Sequence, residues 1–123
     1  MAFKQKVITP KRGEVYLVNF DPTIGAEITK TRPALILQND VANRHSPITI
    51  VAAITSQRTE PFYPTEVCIM PREAGLKHES VVLLNQLRSI DKKRLVKRLG
   101  MVKQETMMQV DRSLELSLGL VDI

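Results

Sequence analysis

Hydrophobic positions along the chain fall in short runs broken by turn-forming residues, the pattern of a small β-rich domain. Residues 14–20, Glu-Val-Tyr-Leu-Val-Asn-Phe after Gly13, are branched and aromatic enough to predict a first strand. Asp21-Pro22-Thr23 ends it, and residues 21–31 read as an exposed loop longer than the roughly 4–6 residues usual in compact domains. Residues 33–38 predict a second strand with Pro33 at its permitted first position, and 39–47 a polar turn. The nearly continuous apolar run 48–54 predicts a central strand covered on both faces. After a polar break over 55–64, strands are predicted at 65–70 and 80–84, joined by a connector at 71–79.

The pattern then changes period. Ser89-Ile90-Asp91 suits a cap before a helical turn at 92–95, and 96–102 predicts one more strand around Gly100. Over 103–118, Met107, Val110, Leu114 and Leu118 recur at steps of three and four, which places them on one helical face, and Gly119 supplies a stop. The alternation of Leu114, Leu116, Leu118 and Leu120 leaves a weaker strand reading of the same end. Met107 and Met108 read as packing residues. Closely spaced strands predict a mainly β fold, a small closed or half-closed antiparallel barrel, with a C-terminal helix.

Length and composition bound this picture without changing it. A chain of 123 residues, 43% apolar and 25% charged, supports one domain, 1–123, with residues 1–11 a flexible basic N-terminal extension. The longest apolar run is too short for a bilayer, and no secretion signal is expected, so a soluble cytoplasmic protein is anticipated. The lone Cys68 reads as a small packed residue.

Charge points toward a partner. Eighteen Lys and Arg against thirteen Asp and Glu give a formal charge of +5. Within 88–98, Arg88, Lys92, Lys93, Arg94, Lys97 and Arg98 are opposed only by Asp91. This concentration suits a polyanion such as nucleic acid, and it equally suits a solvated face.

Candidate chemistry is sparse. His45, His78 and one cysteine make no zinc pattern, the acidic residues form no short paired cluster of the two-metal kind, and glycine-rich nucleotide fingerprints are absent. No metal or cofactor is expected. More informative are polar residues at strand ends, where side chains are held firmly yet exposed. Arg32 precedes the apolar run 34–37 and Thr55 follows the run 48–54. If those strands are antiparallel neighbours, the start of one lies beside the end of the other and the two residues share a site. A surface arginine and a turn threonine fit the spacing as well.

The order of several blocks carries a family resemblance. Arg12-Gly13-Glu14-Val15-Tyr16, the 25–33 loop ending Thr31-Arg32-Pro33, and Gln38-Asn39-Asp40 are followed by Asn43-Arg44-His45-Ser46-Pro47. Ala53-Ile54-Thr55-Ser56-Gln57 and Asn85-Gln86-Leu87-Arg88-Ser89-Ile90-Asp91 complete the series. From Lys11 onward the chain resembles the MazF/PemK toxins, close to the Gram-positive MazF group. The resemblance implies an SH3-like antiparallel barrel of the MazF/PemK/CcdB type. It also implies a metal-independent, sequence-specific endoribonuclease that cuts single-stranded mRNA, leaving 2′,3′-cyclic phosphate and 5′-hydroxyl ends. Its implied partners are a second copy, giving a homodimer, and a cognate antitoxin.

In that family the residues matching Arg32 and Thr55 are catalytic. An arginine fork suits the nonbridging phosphate oxygens, while its high pKa makes proton transfer inefficient. A threonine hydroxyl can bond phosphate or orient the attacking 2′-hydroxyl. Glu27 is a candidate base or reader of a base edge, and equally an ordinary loop carboxylate. Thr31, Ser56, Gln57, Arg58, Gln86 and Arg88 are candidate RNA contacts. The sequence departs from relatives at Asn85, often acidic there, and at Thr29-Lys30-Thr31, where some have a glycine-richer loop. His45 belongs to a turn motif that looks structural, and His78 ranks below it. Two other readings remain: a non-enzymatic toxin that inhibits a topoisomerase, and an RNA-binding barrel without chemistry.

Overall fold

A computed structural model describes residues 8–22, 30–56 and 63–122. Among these described residues, six strands and two α-helices follow in chain order. They are β1 (Glu14–Asn19), β2 (Thr31–Ile36), α1 (Asp40–His45), β3 (Ile48–Thr55), β4 (Glu66–Ile69), β5 (Ser80–Asp91), β6 (Leu95–Met101) and α2 (Gln104–Ser117). Short 3₁₀ turns at Glu73–Gly75 and Lys92–Arg94 flank β5. Among the described residues no helix is long and apolar enough to cross a membrane.

All six strands join one antiparallel sheet in the order β4-β5-β3-β2-β1-β6. The expected SH3-like barrel is therefore not formed. A closed barrel requires the two edge strands of the sheet to pair, but β4 and β6 are the edges here and do not pair. The physical reason lies in the connector after β4. Its 3₁₀ turn packs on β6, with Gly75 and Gly100 allowing the backbones to meet. A Cβ on Gly100 would lie 2.5 Å from the Ala74 carbonyl carbon.

Because successive strand residues face opposite sides, the sheet builds an apolar cluster on each face. Val15, Leu35, Ala52, Ile54, Ile69 and Leu84 face α2, whose Val110, Met107 and Leu114 cover them. Tyr16, Val18, Phe20, Ala34, Ile36, Val51, Ala53 and Ile90 form the second cluster, against which Ile8 packs. Central strand β3 is covered on both faces only from Val51 to Ile54, since Ile48 and Ile50 are exposed.

Three elements differ from the sequence expectation. The predicted turn over 39–47 contains α1, capped by the Asn39 side chain accepting from Ala42 N–H at 2.9 Å. Six residues are too few for a helical period to be visible. The strand predicted at 80–84 runs on to Asp91, because the polar run 85–89 lies inside it. A register shift opposite β3 absorbs it: Ala52 pairs with Leu87 but Ile54 with Val82. On α2, Met107 packs inward as expected, whereas Met108 and Leu118 are exposed. The helix ends at Ser117, and Gly119 follows at φ +72°.

Candidate active site

Strand pairing decides what lies near Arg32. Strands β2 and β3 are antiparallel neighbours, with Ala34 opposite Ala53, Leu35 opposite Ala52 and Ile36 opposite Val51. Continued two residues, the same register sets Arg32 across from Thr55. By strand alternation both belong to the face of the second cluster, Arg32 in line with Ala34 and Ile36, Thr55 in line with Ala53 and Val51. Both are half-buried, which suits side chains that must be held and still meet a ligand.

The loop base beside this pair is held by two arginines. Arg88, opposite Val51, donates from Nη1 to the Phe20 carbonyl at 2.8 Å and lies 5.8 Å from the centre of the Phe20 ring. Arg94 donates to the carbonyls of Asn19 and Asp21. Residues 19–22, which lead from β1 toward Arg32, are thus tied to β5 and the turn after it.

A cleft of about 150 Å³ opens at the same end of the sheet. Arg32, Pro33, Ile54 and Ser56 line one side, and residues from the connector before β5 line the other. Both sequence neighbours of Thr55 line it.

The remaining site candidates divide by position. Ser56 is exposed on the cleft, Thr31 is exposed opposite Asn19, and Gln86 is half-buried in the irregular part of β5. Glu27, Gln57 and Arg58 lie outside the described residues. His45 is exposed at the far end of β3, and seven residues of strand separate Ile48 from Thr55, roughly 23 Å. His78 lines the cleft instead. Sequence spacing ranked the histidines the other way, because no local motif shows that the 71–79 connector folds back beside β2 and β3.

The basic run at 88–98 is not one open patch. Lys92 is buried and donates to the Asn43 carbonyl, Arg98 pairs with Glu14, and Arg88 and Arg94 serve the loop base. Lys93 and Lys97 remain exposed. Burial, reinforced by the nearby Glu14 carboxylate and opposed by Arg98, pushes the Tyr16 phenol above its ordinary pKa. Among the described residues no three His, Cys, Asp or Glu side chains gather to hold a metal ion.

Known proteins share both the sequence and the fold. The chain is 45% identical over 112 residues to an endoribonuclease, EndoA, of Bacillus subtilis strain 168, covering 91% of this chain and 97% of that one. A crystal structure of MazF from Deinococcus radiodurans superposes with a TM-score of 0.78 at 29% identity, covering 91% of this chain and 98% of that one. A mycobacterial endoribonuclease solved in complex with its cognate antitoxin superposes with a TM-score of 0.75 at 27% identity, covering 93% and 99%. Residues 11–118 match the family model of PemK-like, MazF-like toxins of type II toxin-antitoxin systems, and the chain belongs to that family.

Proposed function

We propose that the chain is a toxin endoribonuclease that cuts single-stranded mRNA at short sequence motifs, with Arg32 and Thr55 as its catalytic pair. The observation that supports the pair is the antiparallel β2–β3 register, which, carried two residues beyond Ala34 and Ala53, would bring them opposite each other. In the reaction the 2′-hydroxyl oxygen attacks the adjacent phosphorus and the P–O5′ bond breaks. The 2′-hydroxyl proton is lost to a base, and the departing 5′-oxygen gains one. The products carry a 2′,3′-cyclic phosphate and a 5′-hydroxyl. DNA lacks the attacking group.

Each residue type suits a task. The Arg32 guanidinium presents fixed donors to the nonbridging oxygens, whose charge grows as the pentacoordinate phosphorus forms. Its high pKa keeps it cationic throughout, so stabilising charge is its role. Thr55 donates to phosphate or holds the 2′-hydroxyl in line. Glu27 is the proposed base or base-edge reader. Thr31, Ser56, Gln57, Arg58 and Gln86 are proposed RNA contacts. Arg88 contributes by holding the Phe20 carbonyl, and with it the segment that leaves β1.

The solved relatives bound to an antitoxin support a like partner here, a segment that folds over the RNA site and competes by charge. A twofold dimer and action in the cytoplasm, where mRNA is found, complete the reading. The test is digestion of mixed-sequence RNA in EDTA, with end-group analysis. Fragments with cyclic phosphate and 5′-hydroxyl ends are expected. Intact RNA, or cutting that requires magnesium, contradicts the mechanism.

A further inference from the structure

The cleft beside Arg32 has a wall that the catalytic pair does not use. Its floor is apolar: Ile54 and Leu76 are both buried, and Pro33 lies beside them. Its polar lining is cationic, with exposed Lys77 and His78 from the connector joining Arg32 and Ser56. The connector is fixed there from both ends. Leu76 N–H donates to the Glu73 carbonyl at 3.1 Å and its carbonyl accepts from Arg72 N–H at 2.7 Å, while buried Ser80 donates from Oγ to the His78 carbonyl at 2.9 Å. Lys77 and His78 therefore stand on a braced turn.

We infer that this cleft is a nucleotide subsite of the RNA path, in which the apolar floor and the His78 ring receive a base and Lys77 receives its phosphate. The inference rests on the endoribonuclease reading and extends it to residues outside the catalytic pair. Three features point to a nucleotide. The volume of about 150 Å³ is well below the roughly 300 Å³ of a drug-sized site, and suits one ring system. An apolar floor with an aromatic edge is how an unstacked base is received. A cation at the rim matches the phosphate that accompanies each base. Arg32 lines the same cleft, so a nucleotide seated there is adjacent to the phosphate that Arg32 would contact.

The probe is a fluorescently labelled RNA containing the cleavage motif, found by sequencing fragments from the mixed RNA, with 2′-deoxy sugar at the scissile position so that it binds without being cut. Dissociation constants are measured for the parent, K77M, H78A and H78F between about 50 and 200 mM salt. One lost phosphate contact on a single strand removes about 0.7 from the slope of log affinity against log salt. K77M is expected to weaken binding about three- to tenfold at the lowest salt and to lower the slope by that amount. H78A is expected to weaken binding with the slope unchanged, and H78F to restore it, since stacking needs a ring and not a charge. Melting temperatures equal to the parent's show that the variants are folded.

Parent affinity and slope in K77M, with no difference between H78A and H78F, overturn the subsite. Cleavage of the all-ribose strand by the parent, run in parallel, separates the two claims. If the parent cuts but no variant alters binding, the activity stands and the subsite fails. If the mixed RNA stays intact, binding is measured on that labelled mixed-sequence RNA instead; a dependence on Lys77 there keeps the subsite as an RNA contact while the enzymatic reading fails.

Discussion

Replacing Asn43 by alanine tests the architecture at the end of the sheet remote from the site. Asn43 is fully buried in α1, and its side chain joins three segments. Nδ2 donates to the Gln38 carbonyl at 2.8 Å, while Oδ1 accepts from Gln38 Nε2 at 3.0 Å and from Thr49 Oγ1 at 2.8 Å. Each such bond contributes about 1 kcal/mol net, so their loss removes about 3 kcal/mol. The Gln38 amide keeps its bond to the Ile48 carbonyl, but the Thr49 hydroxyl, buried at 0% exposure, is stranded at roughly 1 kcal/mol more. Against the 5–15 kcal/mol typical of a domain, this is a large loss. Urea unfolding of N43A should show a lower midpoint at unchanged slope, equivalent to about 3–4 kcal/mol. The double variant N43A/T49V should be more stable than the sum of the single effects by about 1 kcal/mol, because the stranded hydroxyl is gone. A loss below about 1 kcal/mol in N43A, or strict additivity, would refute this reasoning.

Three further outcomes follow from particular contacts. G100A should lose about 3 kcal/mol or more in the same unfolding assay, because its Cβ meets the backbone of Ala74 and not a side chain that can move. R88A should lose about 1–2 kcal/mol and slow RNA cutting about tenfold, since the carbonyl of Phe20 loses its donor and the loop base shifts; R88K should restore neither fully. Tyr16, whose folded pKa is raised, stabilises the protein in full below its unfolded value of about 10 and loses that contribution as pH rises beyond it. Y16F should therefore flatten the alkaline limb of a stability-against-pH curve, and an unchanged limb would count against the assigned cause.

Much of the sheet was legible because branched and apolar residues run together where strands enter the core, as in 14–20 and 48–54. The second half of β5 was not, because Asn85, Gln86, Arg88 and Ser89 break the apolar pattern just where the strand bends and changes register. Openness of the sheet was equally hidden. Strand count and spacing are the same for a closed barrel, and only the pairing order, which leaves β4 and β6 as edges, distinguishes the two. At the site, the strand-end argument turned on β2 and β3 being antiparallel neighbours, and they are, with Ala34 opposite Ala53. His78 needed tertiary knowledge: the cleft residues outside its own segment, Arg32, Pro33, Ile54 and Ser56, are 22 or more positions away in sequence. The basic run misled for a related reason. Charge along the chain says nothing of which cations the fold turns inward, as it does Lys92, or spends on carbonyls, as with Arg88 and Arg94.

The central claim is that Arg32 and Thr55 together drive cleavage of RNA without a metal. Single-turnover cutting of one motif-containing RNA in EDTA, by the parent, R32A and T55A, tests it most directly. Loss of one donor to developing charge slows such steps about 10²–10³-fold, so R32A should fall by at least that factor and T55A by a comparable one, with melting temperatures near the parent's. Parent rates in both folded variants would contradict the assignment.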